Sequence, residues 1–185
     1  KYAAAIATVV LGVAGGIAGY TLYSRSGEDR APQAAAPAES PTPEMVLNHP
    51  RPRFELPDLN NKSRNIDEWD GKVVLLNFWA TWCPPCRHEI PAFIDLQQKY
   101  GAQGFQVVGV ALDQPELVQE FADSMGTNYP ILVGEVEGID IAKRYGNRLG
   151  QLPYTVFITR NGTIAHIARG EITNEEAERL IKSLL

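Results

Sequence analysis

The stretch NFWATWCPPCRHEIPAF, residues 77–93, decides how the chain is read. It holds both cysteines of the 185-residue chain, Cys83 and Cys86, with only Pro84 and Pro85 between them. Upstream lies VVLLNFW, residues 73–79, a short apolar run of the kind that forms a buried strand. Downstream, Ile90, Phe93, Ile94 and Leu96 recur at helical spacing between Pro84 and Tyr100, and Gly101 supplies a stop. Cys83 therefore falls where a strand ends and a helix begins. That junction lies at the carboxyl edge of the sheet, where α/β proteins place their sites. A sulfur at a helix N-terminus meets unpaired N–H groups and the positive end of the helix dipole, and both favour the thiolate.

Composition narrows what such a pair can be. Two cysteines cannot build a disulfide framework. As a staple, C-x-x-C closes a loop so small that it removes little unfolded-state entropy. As a structural zinc site the pair lacks two further ligands at suitable spacing, since His49, His88 and His166 are scattered, with His88 alone near the cysteines. A c-type haem site needs His directly after the second Cys, and Arg87 stands there. Redox chemistry is the main expectation, with no cofactor and no metal; the staple and a metal use of Cys83, Cys86 and His88 stay as alternatives. A net charge of −5 without any basic run argues against nucleic-acid binding. With 44% hydrophobic and 21% charged residues, a globular domain with a real core is expected.

Outward from the junction, the pattern alternates strands and helices. FELPDL, residues 54–59, suggests a short edge strand, and residues 60–63 a turn. FQVVGVAL, residues 105–112, reads as a second buried strand. A helix is expected over residues 115–125, with Leu117, Val118 and Phe121 inward and Gly126 as its end. ILV, residues 131–133, is a very short strand, and residues 138–145 a short helix. Asn161-Gly162 between the apolar runs 154–159 and 163–169 is a strong hairpin signal. Thr173 with Glu176 three residues on forms a capping box for a last helix, whose buried side is Leu180, Ile181, Leu184 and Leu185. Parallel crossovers come first and an antiparallel hairpin closes the sheet. The fold class is α/β, a mixed sheet flanked by helices.

The N-terminal part differs in kind. Residues 2–24 carry no charge, and these 23 residues exceed the ~20 needed to cross a bilayer core. Residues 1–24 are expected to form a single transmembrane anchor; a cleaved signal segment is the alternative. Residues 25–52 contain six prolines and few bulky apolar groups, and read as an extended linker able to reach up to ~85 Å. The folded domain is expected over 53–185.

W-C-x-x-C between a buried strand and a helix, with Pro91 five residues past Cys86, resembles thioredoxin. The fuller string FWATWCPPCRHEIP, with GVALD at 109–113 and LPYTVFITRNGTI at 152–164, is similar to the membrane-anchored, extracytoplasmic branch that includes the TlpA, ResA and cytochrome-c-maturation thioredoxin-like proteins. The resemblance covers residues ~53–185 and implies a thiol-disulfide oxidoreductase. It implies Cys83 as the attacking thiol, Cys86 as the resolving thiol, and Trp82 as a shield for the site. It implies a cis peptide before Pro153, whose loop packs beside the cysteines and pairs with substrate backbone; from sequence alone, Gly150–Pro153 is only a turn before a strand. It also implies an inner-membrane, single-pass protein with its catalytic domain on the periplasmic side. There a membrane thiol carrier would supply electrons, and disulfide-containing proteins of cytochrome c maturation or copper-site assembly would be the substrates.

Two positions depart from cytosolic thioredoxin. Its buried strand aspartate is here Asn77, which cannot take up a proton as a carboxylate does. Glu89, three residues past Cys86, stands where the resembling branch has an acidic residue near the cysteines. Either it handles the proton of Cys86, or it is an ordinary glutamate favoured by the helix dipole. The prolines bear on the direction of electron flow. Pro84 and Pro85 have no N–H, so a Cys83 thiolate lacks donors that other C-x-x-C loops provide. A less stabilised thiolate makes a stronger reductant. Charge repulsion from Glu89 acts the same way, and Arg87 opposes it. A reducing dithiol is expected. The rival functions are a peroxiredoxin-type thiol peroxidase, for which Thr81 lies two residues before Cys83, and a non-catalytic metallochaperone.

Overall fold

The computed structural model describes residues 39–185. The expected anchor, residues 1–24, and the first part of the expected linker lie outside the described residues. Among the described residues no helix is long and apolar enough to cross a membrane.

The centre of the fold is strand β3, Val73–Trp79, every residue of which is buried. It sits in a five-stranded sheet of order β5-β4-β3-β6-β7. On one side it pairs in parallel with β4, Phe105–Ala111, which pairs in parallel with β5, Ile131–Val133. On the other side it pairs antiparallel with β6, Tyr154–Ile158, and β6 with β7, Ile164–Arg169. Helix α2, Pro84–Tyr100, crosses from β3 to β4, and α3, Pro115–Met125, from β4 to β5. Helix α4, Val136–Arg144, precedes β6, and α5, Asn174–Leu184, ends the chain. Gly162 turns the β6–β7 hairpin at φ 79°, a conformation that costs glycine nothing.

Alternation along β3 divides the core in two. Val73, Leu75 and Trp79 face α2, α3 and α5, against Ile90, Phe93, Val118 and Ile181. Val74, Leu76 and Phe78 face the other way, against Ile66, Trp69, Ile141 and Tyr145. Thr173 caps α5 by accepting the N–H of Glu176. Thus the mixed sheet with helices on both faces matches the expected class.

Three details differ from the expectation. Residues 54–59 do not edge the main sheet. Strand β1, Glu55–Pro57, pairs with β2, Ser63–Asn65, in a separate ribbon that meets the sheet at the Asp58–Leu132 bridge. The strand ends early because Asp58 Oδ1 accepts the N–H groups of Asn60 and Lys62 and turns the chain. In α3, Val118 is buried and Phe121 packs against the first core as expected, but Leu117 is exposed; Ala122, four residues past Val118 on the same face, is buried in its place.

The third difference is at the N-terminal boundary. The compact unit begins at Glu39, so residues 39–52 pack with the domain. Helix α1, Pro43–Val46, buries Val46 in the second core. The chain then runs along the hairpin: Asn48 N–H donates to Ile164 O at 2.8 Å, and Arg51 N–H to Gly162 O at 2.8 Å. The Arg51 side chain reaches Asp67 and Asp70 at 2.7 and 2.6 Å. Gly146, at φ 96°, lies so close beneath this strap that a Cβ there would fall 2.8 Å from Pro43 Cα. Gly146→Ala is therefore expected to cost more than the ~1–2 kcal/mol of a left-handed alanine alone. Urea unfolding checks this, and a loss below that range would mean that the strap does not press on Gly146.

Candidate active site

Strand β3 ends at Trp79, and the chain turns through Ala80–Trp82 into α2. Cys83 is the N-cap, with non-helical φ −90° and ψ 103°. Pro84 and Pro85 occupy the first two helical positions, where a fixed φ suits the helix start. Cys83 and Cys86 are joined, with Sγ–Sγ 2.07 Å and Cα–Cα 5.3 Å, and both are buried. An N-cap side chain accepts from the second or third N–H of its helix. The second belongs to Pro85 and does not exist. The third, of Cys86, points at Cys83 Sγ at 3.3 Å. The next, of Arg87, is taken by Cys83 O at 3.2 Å. The prolines thus leave Sγ with one first-turn donor, that of Cys86.

The turn before Cys83 is held from β4. Asp113, buried at the end of that strand, accepts from Thr81 N–H at 3.1 Å and from the Thr81 hydroxyl, and also from Gln114 N–H at 2.8 Å. Asp113 was visible within GVALD, yet nothing in one sequence tells a turn-holding carboxylate from a solvated one. Trp82 is 67% exposed, so its indole stands in solvent beside the pair. Behind the turn, Trp79 packs on Phe121 at 5.2 Å, and the Arg87 guanidinium lies over that ring at 5.7 Å.

The Leu152–Pro153 peptide is cis. Phe78 pairs with Tyr154, so Pro153 lies at the same sheet edge as the cysteine turn. The approach to it is fixed by buried Asn147, which donates to Gln151 O at 2.8 Å and accepts from Gln151 N–H at 3.0 Å.

Glu89 is 2% exposed, which rules out a solvated helix glutamate. One turn past Cys86, its side chain points under the helix. Oε1 accepts from Asn77 Nδ2 at 2.8 Å, and Oε2 from the Ile172 N–H at 3.2 Å. Asn77 Nδ2 also donates to Thr155 Oγ1 at 2.9 Å. Burial pushes the Glu89 carboxyl up to about 7; the Ile172 and Asn77 donors oppose this, and Glu171 adds to it. A carboxyl poised there accepts or releases a proton near neutral pH. Thr155 and Ile172 had no sequence signal, since both meet Glu89 or Asn77 only through the tertiary fold. The histidines stand at exposed positions on three separate segments: His49 after α1, His88 on α2 and His166 on β7. His88 Nδ1 is 3.8 Å from exposed Glu171.

The AhpC/TSA family model matches residues 47–167. The thiol-disulfide oxidoreductase ResA of Halalkalibacterium halodurans is 35% identical over 165 residues, 89% of this chain and 85% of that protein. The ResA of Geobacillus thermodenitrificans is 31% identical over 178 residues, 96% of this chain and 93% of that protein. Among solved structures, a DsbE-type thiol:disulfide interchange protein from Chlorobium tepidum superposes with a TM-score of 0.68 at 30% identity, over 75% of this chain and 96% of that one. A strand-to-helix cysteine pair, a cis-proline at the same edge and relatives of nearly full length agree: the chain belongs to the AhpC/TSA family, among its thioredoxin-like thiol-disulfide oxidoreductases.

Proposed function

We propose that this protein reduces disulfides in extracytoplasmic proteins, with Cys83 as the attacking and Cys86 as the resolving thiol. The observation that carries this reading is that Cys83 Sγ has one donor among the described residues, the N–H of Cys86, at a helix start where Pro85 removes the other first-turn donor. A thiolate so sparsely stabilised gives up electrons readily.

Cys83 thiolate attacks one sulfur of the substrate disulfide. A mixed disulfide forms, and the other substrate sulfur leaves as a thiolate that takes a proton. Cys86 then gives its proton to the Glu89 carboxylate and attacks Cys83 Sγ. The mixed disulfide breaks, the second substrate sulfur leaves, and Cys83–Cys86 closes. Two electrons have passed to the substrate, and a dithiol donor must restore the pair. Trp82 and the loop before Pro153 flank the bound segment. The donor is a membrane thiol carrier, and the substrates are disulfides of apo-cytochromes c or copper-site assembly proteins. Residues 1–24 hold the domain at the inner membrane, on its periplasmic side. Against the peroxidase alternative, the Thr81 hydroxyl is bonded to Asp113 rather than left free for Cys83.

Trapping tests the proposal. Cys86→Ala cannot resolve, so it is expected to hold substrates on Cys83 as mixed disulfides that dithiothreitol releases from isolated membranes. A Cys86→Ala protein with no more adducts than Cys83→Ala would contradict it.

A further inference from the structure

The loop 145–153 joins α4 to β6 and delivers Pro153 to the sheet edge that holds the cysteine turn. Its main chain is closed on itself. Asn147 engages both the N–H and the C=O of Gln151. Gly150 N–H donates to Asn147 O at 3.3 Å, and Arg148 N–H to Gly146 O at 2.9 Å. On the other side, Pro153 O accepts the Gly170 N–H at 2.9 Å. Between these bonds stands Leu152, which is half-buried. Among the described residues its N–H and C=O have no main-chain partner. Two such groups offer a donor and an acceptor to an extended chain, as an open strand edge does.

Two buried tyrosines hold the ends of this loop. Tyr154, which follows Pro153, donates from its hydroxyl to Tyr145 O at 2.9 Å and ties the ends together. Tyr145 donates from its own hydroxyl to Pro52 O at 2.6 Å, and its ring packs on Phe54 and Phe78 at 6.0 and 5.9 Å. Pro52 belongs to the strap, which meets the loop twice more. Gly146 lies against Pro43, and Arg148 reaches Glu39 at 3.1 Å. Arg144, just before the loop, donates to Arg53 O at 2.9 Å. The loop thus stands on residues 39–53.

We infer that Tyr145 and Tyr154 are positioning residues for thiol-disulfide exchange: footed on the strap, they hold Leu152 where the main chain of a bound polypeptide pairs with it beside the cysteines. Both tyrosines lie in the second core, on the face of the sheet away from α2. They therefore act through the loop and not on the sulfurs. A fixed edge matters because attack needs the substrate disulfide in line with Cys83, and a misplacement of about 1 Å can cost a reaction about 100-fold. Residues 39–52 accordingly do more than space the domain from what precedes it. They carry the footing of the surface that receives the substrate.

The inference rests on the proposed function only for the place of the bound chain, beside Leu152. It does not depend on which way electrons flow. Exchange rates of the full chain with two disulfides test it: a synthetic peptide disulfide, which has a backbone to pair, and hydroxyethyl disulfide, which has none. The oxidised protein with the peptide dithiol and with mercaptoethanol gives the same comparison in the reverse direction. A failed reductant role would show in the wild-type potential, whereas a failed inference shows in the variants.

Tyr145→Phe and Tyr154→Phe each remove one hydroxyl. In both, the ratio of the peptide rate to the small-disulfide rate is expected to fall about tenfold. A merely structural role would slow both reactions together and leave the ratio as it was. Tyr100→Phe is the control, because that hydroxyl bonds Glu178 at the far end of α2, and it is expected to keep the wild-type ratio. An unchanged ratio in either loop variant, or an equal fall in Tyr100→Phe, would overturn the inference.

Discussion

Glu89→Gln is expected to make the disulfide form more stable than wild type at pH 8, by about 3 kcal/mol, and to leave it nearly unchanged at pH 4. The cause is the burial of a carboxyl that is held up to about 7 in the fold, against an ordinary 4.5. Its folded pKa is raised, so the folded protein binds the proton more tightly than the unfolded chain does. The resulting stability is complete below about 4.5 and is lost as pH rises through about 7. Gln mimics the protonated acid: it keeps the shape of the carboxyl, and its oxygen can accept from the Ile172 N–H. It carries no charge to desolvate at any pH. Denaturant unfolding of the oxidised proteins between pH 4 and 9 checks this, because the joined thiols do not titrate. The two stability curves should converge in acid and separate above neutrality. Curves that stay parallel throughout would mean that Glu89 ionises in the fold as freely as in water.

The second large effect is on the potential. In Pro85→Ala the second helical position regains its N–H, and the Cys83 N-cap can accept from it as well as from Cys86. A hydrogen bond to a charged group contributes about 1.5–3 kcal/mol. It acts on the thiolate and hardly on the disulfide sulfur, so it stabilises the reduced form. The thiol pKa should fall by about one to two units. The potential should rise by about 30–60 mV, making the variant a weaker reductant. A change under about 10 mV would mean that the missing donor does not set the potential.

The junction of β3 and α2 was legible because two signals of different period meet there, a continuous apolar run and a 3.6-residue repeat, with proline at the start of the second. The hairpin at Asn161-Gly162 and the cap at Thr173 were legible because their chemistry is local. The strap at residues 39–52 was not. Its proline-rich composition matches that of a linker, and a four-residue helix such as α1 carries no periodicity. The cis peptide at Pro153 was reached only through the resemblance, since X-Pro has no local marker of its isomer. The surroundings of Glu89 were least visible. Asn77 and Thr155 are 78 residues apart and meet through the β3–β6 register alone. Sequence spacing put Glu89 near the cysteines, but it could not tell a buried carboxyl from an exposed one.

On the proposed function, Cys83 and Cys86 give electrons away. Equilibrating the wild-type domain against glutathione and dithiothreitol buffers at pH 7 measures this directly. A potential close to the thioredoxin end of the scale, about −270 mV, is predicted; one near about −120 mV, where strong oxidants lie, would contradict it.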